Sequence, residues 1–446
     1  MEGRHQHHDA VVIGAGFAGL SAAQDLVRAG LSVQLLEARP RVGGRTLTRY
    51  LPDGTQLDLG GQWIGPTQRR VSAVVEQYGI GTYSTPAHGE PVIDIDGDRR
   101  TAAPPEADAL LETVDAMSRQ VPRERPWDIP EARDWDQQTF ASWLEETGYD
   151  EPVTRYVARV ISGGLLAGSP AETSVLETLF YIASAGGVEA ITGYEGGAQQ
   201  TRIVGGAQVI AEHMAADLPP GVLRLGEPVV GVEHSASGAR ITTRTHSYTA
   251  SRVIAAVPPA LASRIRYDPP LPPLKDGALQ RTPVGSALKI HAVYPTPFWR
   301  ELGLSGLSTS ASGVLTETVD NTPPTGPRAV LTGFVYGDEA VLLRRFDLEE
   351  RRRTVVDRLV ELFGDGAREP EEYVEFDWMA EEWTRGCFSG HLVPGSTVPF
   401  GPSLRAPSGV IHWASTETAT EWNGYFDGAL SSGSRAAAEV RESLGR

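Results

Sequence analysis

Closely spaced glycines near the amino terminus constrain this chain more than any other feature. The apolar segment Asp9–Ile13 leads directly into Gly14-Ala-Gly16-Phe-Ala-Gly19, and helical spacing of apolar residues then continues to Gly30. The first glycine permits a tight turn, the second lets the backbone approach a pyrophosphate, and the third lets the helix pack on the sheet. A second apolar segment, Ser32–Leu36, follows. The pattern therefore predicts a strand–helix–strand unit that binds a dinucleotide.

Residues after this unit indicate which dinucleotide it binds. Glu37 ends the second predicted strand, at the distance expected of an acid that accepts hydrogen bonds from a ribose hydroxyl. Its charge would repel the 2′-phosphate of NADP, although Arg39 leaves that dinucleotide open. Two more glycine pairs, Gly43-Gly44 beside Arg45 and Gly60-Gly61, offer bare backbone and a cation to the same pyrophosphate. Each pair alone would be interpreted as a surface turn, but the three clusters together favour a flavin.

Composition limits the partners of the chain. Its 446 residues include 40 Lys and Arg against 57 Asp and Glu, so the formal net charge is −17. This charge argues against nucleic acid or an anionic membrane as the main partner. No apolar run reaches the length of a membrane helix. We therefore expect a cytoplasmic protein whose start carries no targeting segment.

The residues that could ligate a metal are few. One cysteine, Cys387, excludes an intrachain disulfide and a multi-thiolate site. We interpret His5, His7 and His8 as solvated residues of a frayed terminus. No metal site is predicted.

Beyond the glycine clusters, helical and strand-like patterns alternate. Helical spacing covers 106–120, 136–147, 151–163, 171–185, 347–363 and 425–443, and strand-like segments cover 222–257, 285–294 and 328–336. The length predicts two or three domains. The alternation predicts a nucleotide-binding domain assembled from separate pieces of chain, with a mixed α/β domain inserted between them.

Five segments resemble the flavin-dependent monoamine oxidase family, in the family's order and over nearly the whole chain. They are GAGFAGLSAA, LLEARPRVGGRT, DLGGQWIGPTQ, the Val-Gly-Gly of 204–206 and STETATEWNGYFDGA. The resemblance implies an α/β fold with a Rossmann-type, p-hydroxybenzoate-hydroxylase-like FAD-binding domain and an inserted mixed α/β substrate domain. It places the FAD-binding domain at 9–78, 204–278 and 381–446, and the substrate domain at 79–203 and 279–380.

The resemblance also implies an activity and its partners. Members of the family oxidise the C–N bond of a small-molecule amine by moving hydride equivalents to FAD. O2 then reoxidises the flavin to give hydrogen peroxide, and the imine hydrolyses in water. The expected substrate is a primary amine, with a diamine such as putrescine as a candidate. A homodimer is left open.

Twelve positions match residues that contact FAD in the family: Gly14, Gly16, Gly19, Glu37, Arg39, Gly44, Arg45, Gly60, Val229, Trp383, Cys387 and Glu417. The backbone of Val229 would meet the adenine, and Glu417 would lie near the far end of the flavin chain. Cys387 aligns with the cysteine that carries FAD through a thioether in mammalian members. Covalent attachment and a free core cysteine both remain open here.

Three residues match catalytic positions of the family. Lys289 matches a lysine that holds a water against flavin N5, whereas a lysine on a half-buried strand otherwise extends to solvent. Tyr425 and Phe388 match the two aromatic walls that steer the amine to the flavin, with ordinary core packing as the alternative. Mammalian enzymes usually have tyrosine where this chain has Phe388. The phenylalanine keeps the apolar face but lacks the hydroxyl dipole.

The predicted substrate pocket has one unusual residue. Gln199, Leu165 and Ile191 match pocket-lining positions, but Glu317 stands where mammalian enzymes carry a bulky aromatic at the pocket entrance. A carboxylate there would bind the distal ammonium of a diamine through a charge-assisted hydrogen bond. A solvated loop glutamate is the alternative interpretation.

Two other functions stay open. A related FAD oxidoreductase would act on an amino acid or a specialised biosynthetic amine, and amino-acid specificity requires an arginine that clamps the carboxylate. Arg69 and Arg70 stand in the relevant stretch, but we expect them to face solvent because they begin a helix whose apolar face carries valines. The second alternative is a non-catalytic binding protein on the same fold.

Overall fold

The computed structural model describes residues 7–446, and its first sheet carries the glycine motif. The strands of this sheet lie in the order Leu223–Arg224, Val33–Leu36, His7–Ile13, Ser247–Ala255, Gly238–Thr243, Val229–Ser235 and Arg266–Asp268, with Ile411–Trp413 paired to Ser247–Ala255. The strand His7–Ile13 runs parallel to both neighbours. Burial on both faces explains its apolar sequence.

The start of this strand corrects one prediction. The strand begins at His7 rather than Asp9, and the His8 side chain is buried. The interpretation of His8 as a solvated terminal residue is therefore wrong. Residues 1–6 lie outside the described residues. They include His5 and most of the segment in which no targeting signal is expected.

A second sheet is built from different parts of the chain. Its strands lie in the order Glu372–Asp377, Ala287–Tyr294, Ala329–Tyr336, Glu317–Asp320, Leu304–Ser310, Glu90–Ile95 and Asp98–Arg100. The strands Ala287–Tyr294 and Ala329–Tyr336 are antiparallel to each other and buried along their whole length. In one smaller sheet, Thr201–Ile203 lies between Trp63–Ile64 and Thr82–Ser84 and pairs with both. Two further sheets pair Thr48–Tyr50 with Gln56–Asp58 and Val284–Gly285 with Cys387–Gly390.

Helices surround these sheets. The α-helices of the described residues are Phe17–Arg28, Arg69–Gln77, Pro105–Ser118, Ala132–Gln137, Phe140–Glu146, Glu151–Ala158, Val175–Ala185, Val188–Thr192, Gln208–Ala216, Pro259–Ala262, Pro273–Gln280, Phe298–Glu301, Gly337–Leu343, Leu348–Phe363, Thr397–Arg405 and Phe426–Ser443. Arg159–Leu165 is a π-helix, and Asp365–Ala367 and Thr416–Thr418 are 3-10 helices. None of the helices within 7–446 combines the length and apolar character needed to cross a membrane.

Two predicted helices are interrupted in the structure, and a third, predicted at 171–185, begins only at Val175. The predicted helix at 136–147 is broken because Gln138 is extended and Thr139 starts a new helix, accepting a hydrogen bond from the Ser142 amide (3.1 Å). The predicted helix at 151–163 leaves α geometry at Arg159 and continues as the π-helix. The predicted boundaries of the FAD-binding and substrate domains stay a prediction.

The helix that follows the glycine motif packs against the helix Phe426–Ser443. Gly433 allows close approach, because a Cβ there would lie 2.1 Å from the Ala18 carbonyl oxygen. Ser21 Oγ donates to the Leu430 carbonyl (3.0 Å), and the rings of Phe17 and Phe426 stack 4.8 Å apart. The motif is thus supported by residues from the opposite end of the sequence.

Candidate active site

A cavity of about 460 Å³ brings residues of both sheets together. Most predicted site residues line it: Gly14, Gly16, Glu37, Arg39, Gly44, Arg45, Gly60, Gln199, Val229, Lys289, Glu317, Trp383, Cys387, Phe388 and Tyr425. Gly19, Leu165, Ile191 and Glu417 do not line it. The volume is within the range of small-molecule sites.

The glycine motif makes one end of the cavity from bare backbone. Gly14 has φ +99°, and a Cβ there would lie 2.7 Å from the Ala256 carbonyl oxygen. Gly19 packs the helix against the turn, because its Cβ would lie 1.8 Å from the Gly14 carbonyl oxygen. Gly16 directly precedes the helix. A Cβ on Gly44 would lie 3.3 Å from the Cα of Gly16. Two glycine backbones and the unpaired amides of a first helical turn therefore meet at this end.

Glu37 fixes the turn beside these glycines. Its carboxylate accepts hydrogen bonds from the amides of Ala15 (2.7 Å) and Arg39 (2.9 Å) and is almost fully buried. The guanidinium of Arg39 lies 3.4 Å from Glu381, and its Nε has no partner among the described residues. Glu37 keeps further acceptor capacity on the cavity side, and Arg39 keeps a donor.

Glu417 holds Arg45 instead of lining the cavity. Arg45 Nη1 lies 2.6 Å from Glu417 Oε1 and 2.7 Å from the carbonyl oxygen of Phe388, and the Gly390 amide donates to the same carboxylate. Burial opposes ionisation, but the Arg45 guanidinium outweighs it and lowers the pKa of Glu417. The buried pair thus joins the second glycine cluster to the strand Cys387–Gly390.

Replacing Glu417 by Ala is expected to destabilise the protein, because it leaves the Arg45 guanidinium largely buried without its carboxylate. Breaking such a pair costs about 3 kcal/mol, so we expect a fall in melting temperature of roughly 3 °C for a chain of this length. Differential scanning fluorimetry measures this. Glu442→Ala on the exposed end of the last helix is the control and should change the melting temperature little. Equal behaviour of both variants would contradict the role of the pair.

Lys289 is buried on the second sheet. Its Nζ donates to the Gly60 carbonyl (2.9 Å) and to Gln62 Oε1 (2.5 Å), and the Phe334 ring lies 5.2 Å away. Burial lowers the pKa of Lys289 to about 7. The alternative of a side chain that extends to solvent is therefore wrong, and an amine that exchanges a proton near neutral pH faces the cavity.

The two predicted aromatic walls both line the cavity. Phe388 has φ +61°, an uncommon conformation for a residue with a side chain, and its ring lies 5.2 Å from that of Tyr336. Tyr425 packs edge-on against Trp422 (5.0 Å) and tilts against Tyr181 (6.2 Å). Hydrogen bonding of the Phe388 carbonyl by Arg45 helps to hold its backbone.

Glu317 begins a strand and lines the cavity, so its interpretation as a solvated loop residue is wrong. Its Oε1 accepts a hydrogen bond from the Tyr336 hydroxyl (2.7 Å). A Cβ on Gly164 would lie 3.7 Å from its Oε2. Burial raises the pKa of Glu317 to about 7. The cavity therefore contains an acid that loses its proton near neutral pH.

The remaining predicted pocket residues divide into two groups. Gln199 lines the cavity, donates to the Ile191 carbonyl (3.0 Å) and leaves its Oε1 without a partner among residues 7–446. Leu165 and Ile191 are buried in a hydrophobic cluster with neighbouring helices. Their side chains pack in this cluster behind the cavity wall, and the neighbouring Gly164 lines the cavity instead. Neither Leu165 nor Ile191 lines the cavity, and their predicted contact with substrate stays a prediction.

Gln62, Trp63 and Phe334 are among the residues that line the cavity and that sequence reasoning missed. The first two directly follow the glycine pair at 60–61, so their position was a usable signal. Phe334 faces Lys289 in the register of two antiparallel strands, which only the pairing reveals.

Comparison with known proteins agrees with this geometry. A family model described as flavin-containing amine oxidoreductase matches residues 17–441. The chain belongs to this family. A putrescine oxidase from Kocuria rosea is 38% identical, over 97% of this chain and 95% of that protein. An L-amino acid dehydrogenase from Synechocystis sp. is 36% identical, over 97% and 94% respectively. A structure of putrescine oxidase bound to putrescine has a TM-score of 0.94 at 36% identity, covering 99% of this chain and 100% of that one.

Family membership confirms the predicted resemblance, the α/β fold class and the FAD cofactor. The chain is an amine-oxidising flavoenzyme, which excludes the non-catalytic alternative. Its own residues fit the cofactor. Gly16 and Gly44 lie close together, and because neither has a side chain, the cavity stays open beside their backbones. The Nε of Arg39 is a buried donor without a partner within 7–446.

Proposed function

We propose that this flavoenzyme oxidises a primary amine, preferentially a diamine such as putrescine, and passes the electrons to O2 to give hydrogen peroxide. The observation that carries the proposal is the position of Glu317. Its carboxyl group lies in the part of the cavity that contains Lys289, where the other lining groups are mainly apolar and aromatic. The names of the putrescine oxidase relatives support the same substrate class.

The cofactor would be held along the glycine-lined end of the cavity. Gly14, Gly16 and Gly44 would admit the pyrophosphate, Glu37 would accept from the ribose, and Val229 and Trp383 would contact the rings. FAD, when bound, supplies a two-electron acceptor for the C–N bond of the amine. Gly19 and Glu417 would act indirectly, through the helix and through Arg45.

The substrate would enter between the aromatic walls. Phe388 and Tyr425 offer ring faces that attract an ammonium and pack on its carbon chain. Glu317 would then bind the far ammonium of a diamine, and Gln199 would offer its unpaired amide oxygen. The chain's own groups therefore orient the amine without a covalent contact.

An amino-acid substrate is the second candidate, and the L-amino acid dehydrogenase relative favours it. Such a substrate needs a cation for its carboxylate. Arg69 and Arg70 are exposed on the helix Arg69–Gln77, as expected, and do not line the cavity. The carboxylate form of Glu317 would repel a substrate carboxylate, so we place this function second.

A peroxide assay with matched substrates tests the proposal. We expect putrescine, cadaverine and tyramine to release hydrogen peroxide, with the diamines fastest, and ornithine and tyrosine to release little. Bleaching of the flavin by each compound without oxygen is the control, because it measures oxidation of the substrate independently of the electron acceptor. Bleaching by amines without peroxide would exclude O2 as acceptor, and faster turnover of amino acids would overturn the substrate class.

The attachment of FAD is a separate question at Cys387. This thiol lines the cavity, and burial raises its pKa to about 11, so it must lose a proton before it can bond to carbon. Acid precipitation decides between the two states. If flavin stays in the pellet of the wild-type protein but not in that of Cys387→Ala, the cofactor is bound through a thioether. If flavin of the wild-type protein is found in the supernatant, the cofactor is not covalently bound.

A further inference from the structure

A row of buried polar side chains leads from the protein interior to Lys289. Asp58, Arg202, Asn321 and Gln62 are each at most 1% exposed, and Lys289 is 4% exposed. They come from separate strands and loops, so only the folded chain aligns them. Buried polar groups are costly unless they are satisfied, which makes such a row unusual among the apolar residues around it.

Arg202 sets the direction of every hydrogen bond in the row, because a guanidinium only donates. Its Nη2 lies 2.9 Å from Asp58 Oδ2, and its Nη1 donates to Asn321 Oδ1. Since Asn321 Oδ1 is thereby an acceptor, the Gln62 group beside it (3.0 Å) must be the Nε2 donor. The other end of the Gln62 amide, Oε1, consequently faces Lys289 Nζ.

The acceptors of Lys289 are therefore both uncharged. Gly60 O and Gln62 Oε1 take two N–H groups of Lys289, and the negative charge of Asp58 is already matched by Arg202. Asp58 also accepts from Thr48 and from the Ala207 amide. A neutral amine in this position has both protons engaged, so its lone pair is left for the cavity.

The other titratable groups near Lys289 act in different directions. Burial has the largest effect on the pKa of Lys289 and lowers it. Asp58 raises this pKa, Arg202 lowers it, and Cys387 and Glu317 raise it. His291 on the same strand stays neutral, because burial holds its pKa well below the usual value. Glu317 itself titrates near neutral pH, so its transition must be separated from that of Lys289.

We propose that Gln62, oriented by Asn321 and the Arg202–Asp58 pair, is a positioning residue: it fixes Lys289 Nζ through an uncharged acceptor, so that Lys289 can lose its proton and present its lone pair to the cavity. This inference rests on the proposed function. It predicts that one side chain, Gln62, controls the protonation of Lys289 in either direction. A carboxylate there would stabilise the ammonium, and an apolar side chain would remove one of its acceptors.

The test is a pH titration of the visible absorption of the bound, oxidised flavin, made in Glu317→Gln so that this acid does not contribute. We expect a transition near neutral pH that Lys289→Met abolishes. Gln62→Glu should raise its midpoint by about one pH unit or more, and Gln62→Met should lower it. Opposite shifts from one position are not expected of general damage to the fold.

Gln24→Glu is the matched control, since Gln24 is also buried but bonds to the Met214 carbonyl, remote from Lys289. It should leave the midpoint unchanged. A transition that survives Lys289→Met, or midpoints that do not move in the Gln62 variants, would overturn the inference. If Gln62→Glu does not fold, the Gln62→Met shift alone decides. Absence of bound flavin, or flavin that no amine bleaches, would instead refute the proposed function.

Discussion

Replacing Glu317 by Gln is expected to lower kcat/KM for putrescine about 100-fold, because a charge-assisted hydrogen bond of about 3 kcal/mol is lost. Butylamine has the same carbon chain but no second ammonium, so its kcat/KM should change only about 3-fold or less. Steady-state peroxide release with the two amines measures the difference. Glutamine keeps the size of the side chain and can still accept from the Tyr336 hydroxyl.

The pH dependence of the same ratio gives a second measurement. Burial raises the pKa of Glu317 to about 7, so the carboxyl group is neutral below that pH and negative above it. The preference for putrescine over butylamine should therefore grow as the pH rises through about 7 in the wild type. It should stay flat in Glu317→Gln. Equal losses for both amines, or a preference that falls with rising pH, would refute the diamine site.

Replacing Lys289 by Met is expected to slow reoxidation of the reduced flavin by O2 about 100-fold or more, the usual effect of removing one preorganised polar group. Anaerobic reduction by the amine should change little, because the aromatic walls and Glu317 remain. Stopped-flow absorbance follows the two half-reactions separately. The division between them is the diagnostic result, since a damaged fold would slow both.

Lys275→Met is the matched control for this experiment. Lys275 is also a buried lysine whose pKa burial lowers to about 7, but it donates to the Leu404 carbonyl and does not line the cavity. Its loss should leave both half-reactions unchanged. Slower reduction in Lys289→Met, or equal effects of the two variants, would contradict a role confined to the oxygen reaction.

Local signals carried the sequence predictions that the structure matches. The glycine turn, the first two parallel strands and the position of Glu37 all fall within thirty-seven residues, and each depends on near neighbours. The π-helix illustrates the limit of such signals, since its residues continue a helical pattern and only the fold shows the wider turn. Lys289, Phe388 and Tyr425 were predicted from family resemblance, and the fold brings them to one cavity.

Pairings between distant segments could not be predicted in the same way. Arg45 and Glu417 are 372 positions apart, and Asp58 and Arg202 are 144 apart. Sequence spacing contains no information on such partners, so the contact of Glu417 with Arg45 was not predicted. The burial of Leu165 and Ile191 behind the cavity surface was not predicted for a related reason. An apolar residue suits a pocket wall and a core equally, and only packing distinguishes the two.

The contact between the helices Phe17–Arg28 and Phe426–Ser443 has a consequence for biosynthesis. Ser21 and Leu430 meet although 409 positions separate them. A ribosome therefore completes the dinucleotide motif early but supplies its supporting helix only after the rest of the sheet has been translated. During that interval the nascent chain exposes apolar surface and lacks the packing that holds the turn. Flavin capture should consequently follow translation past Ser443, and prematurely stopped chains should emerge without cofactor.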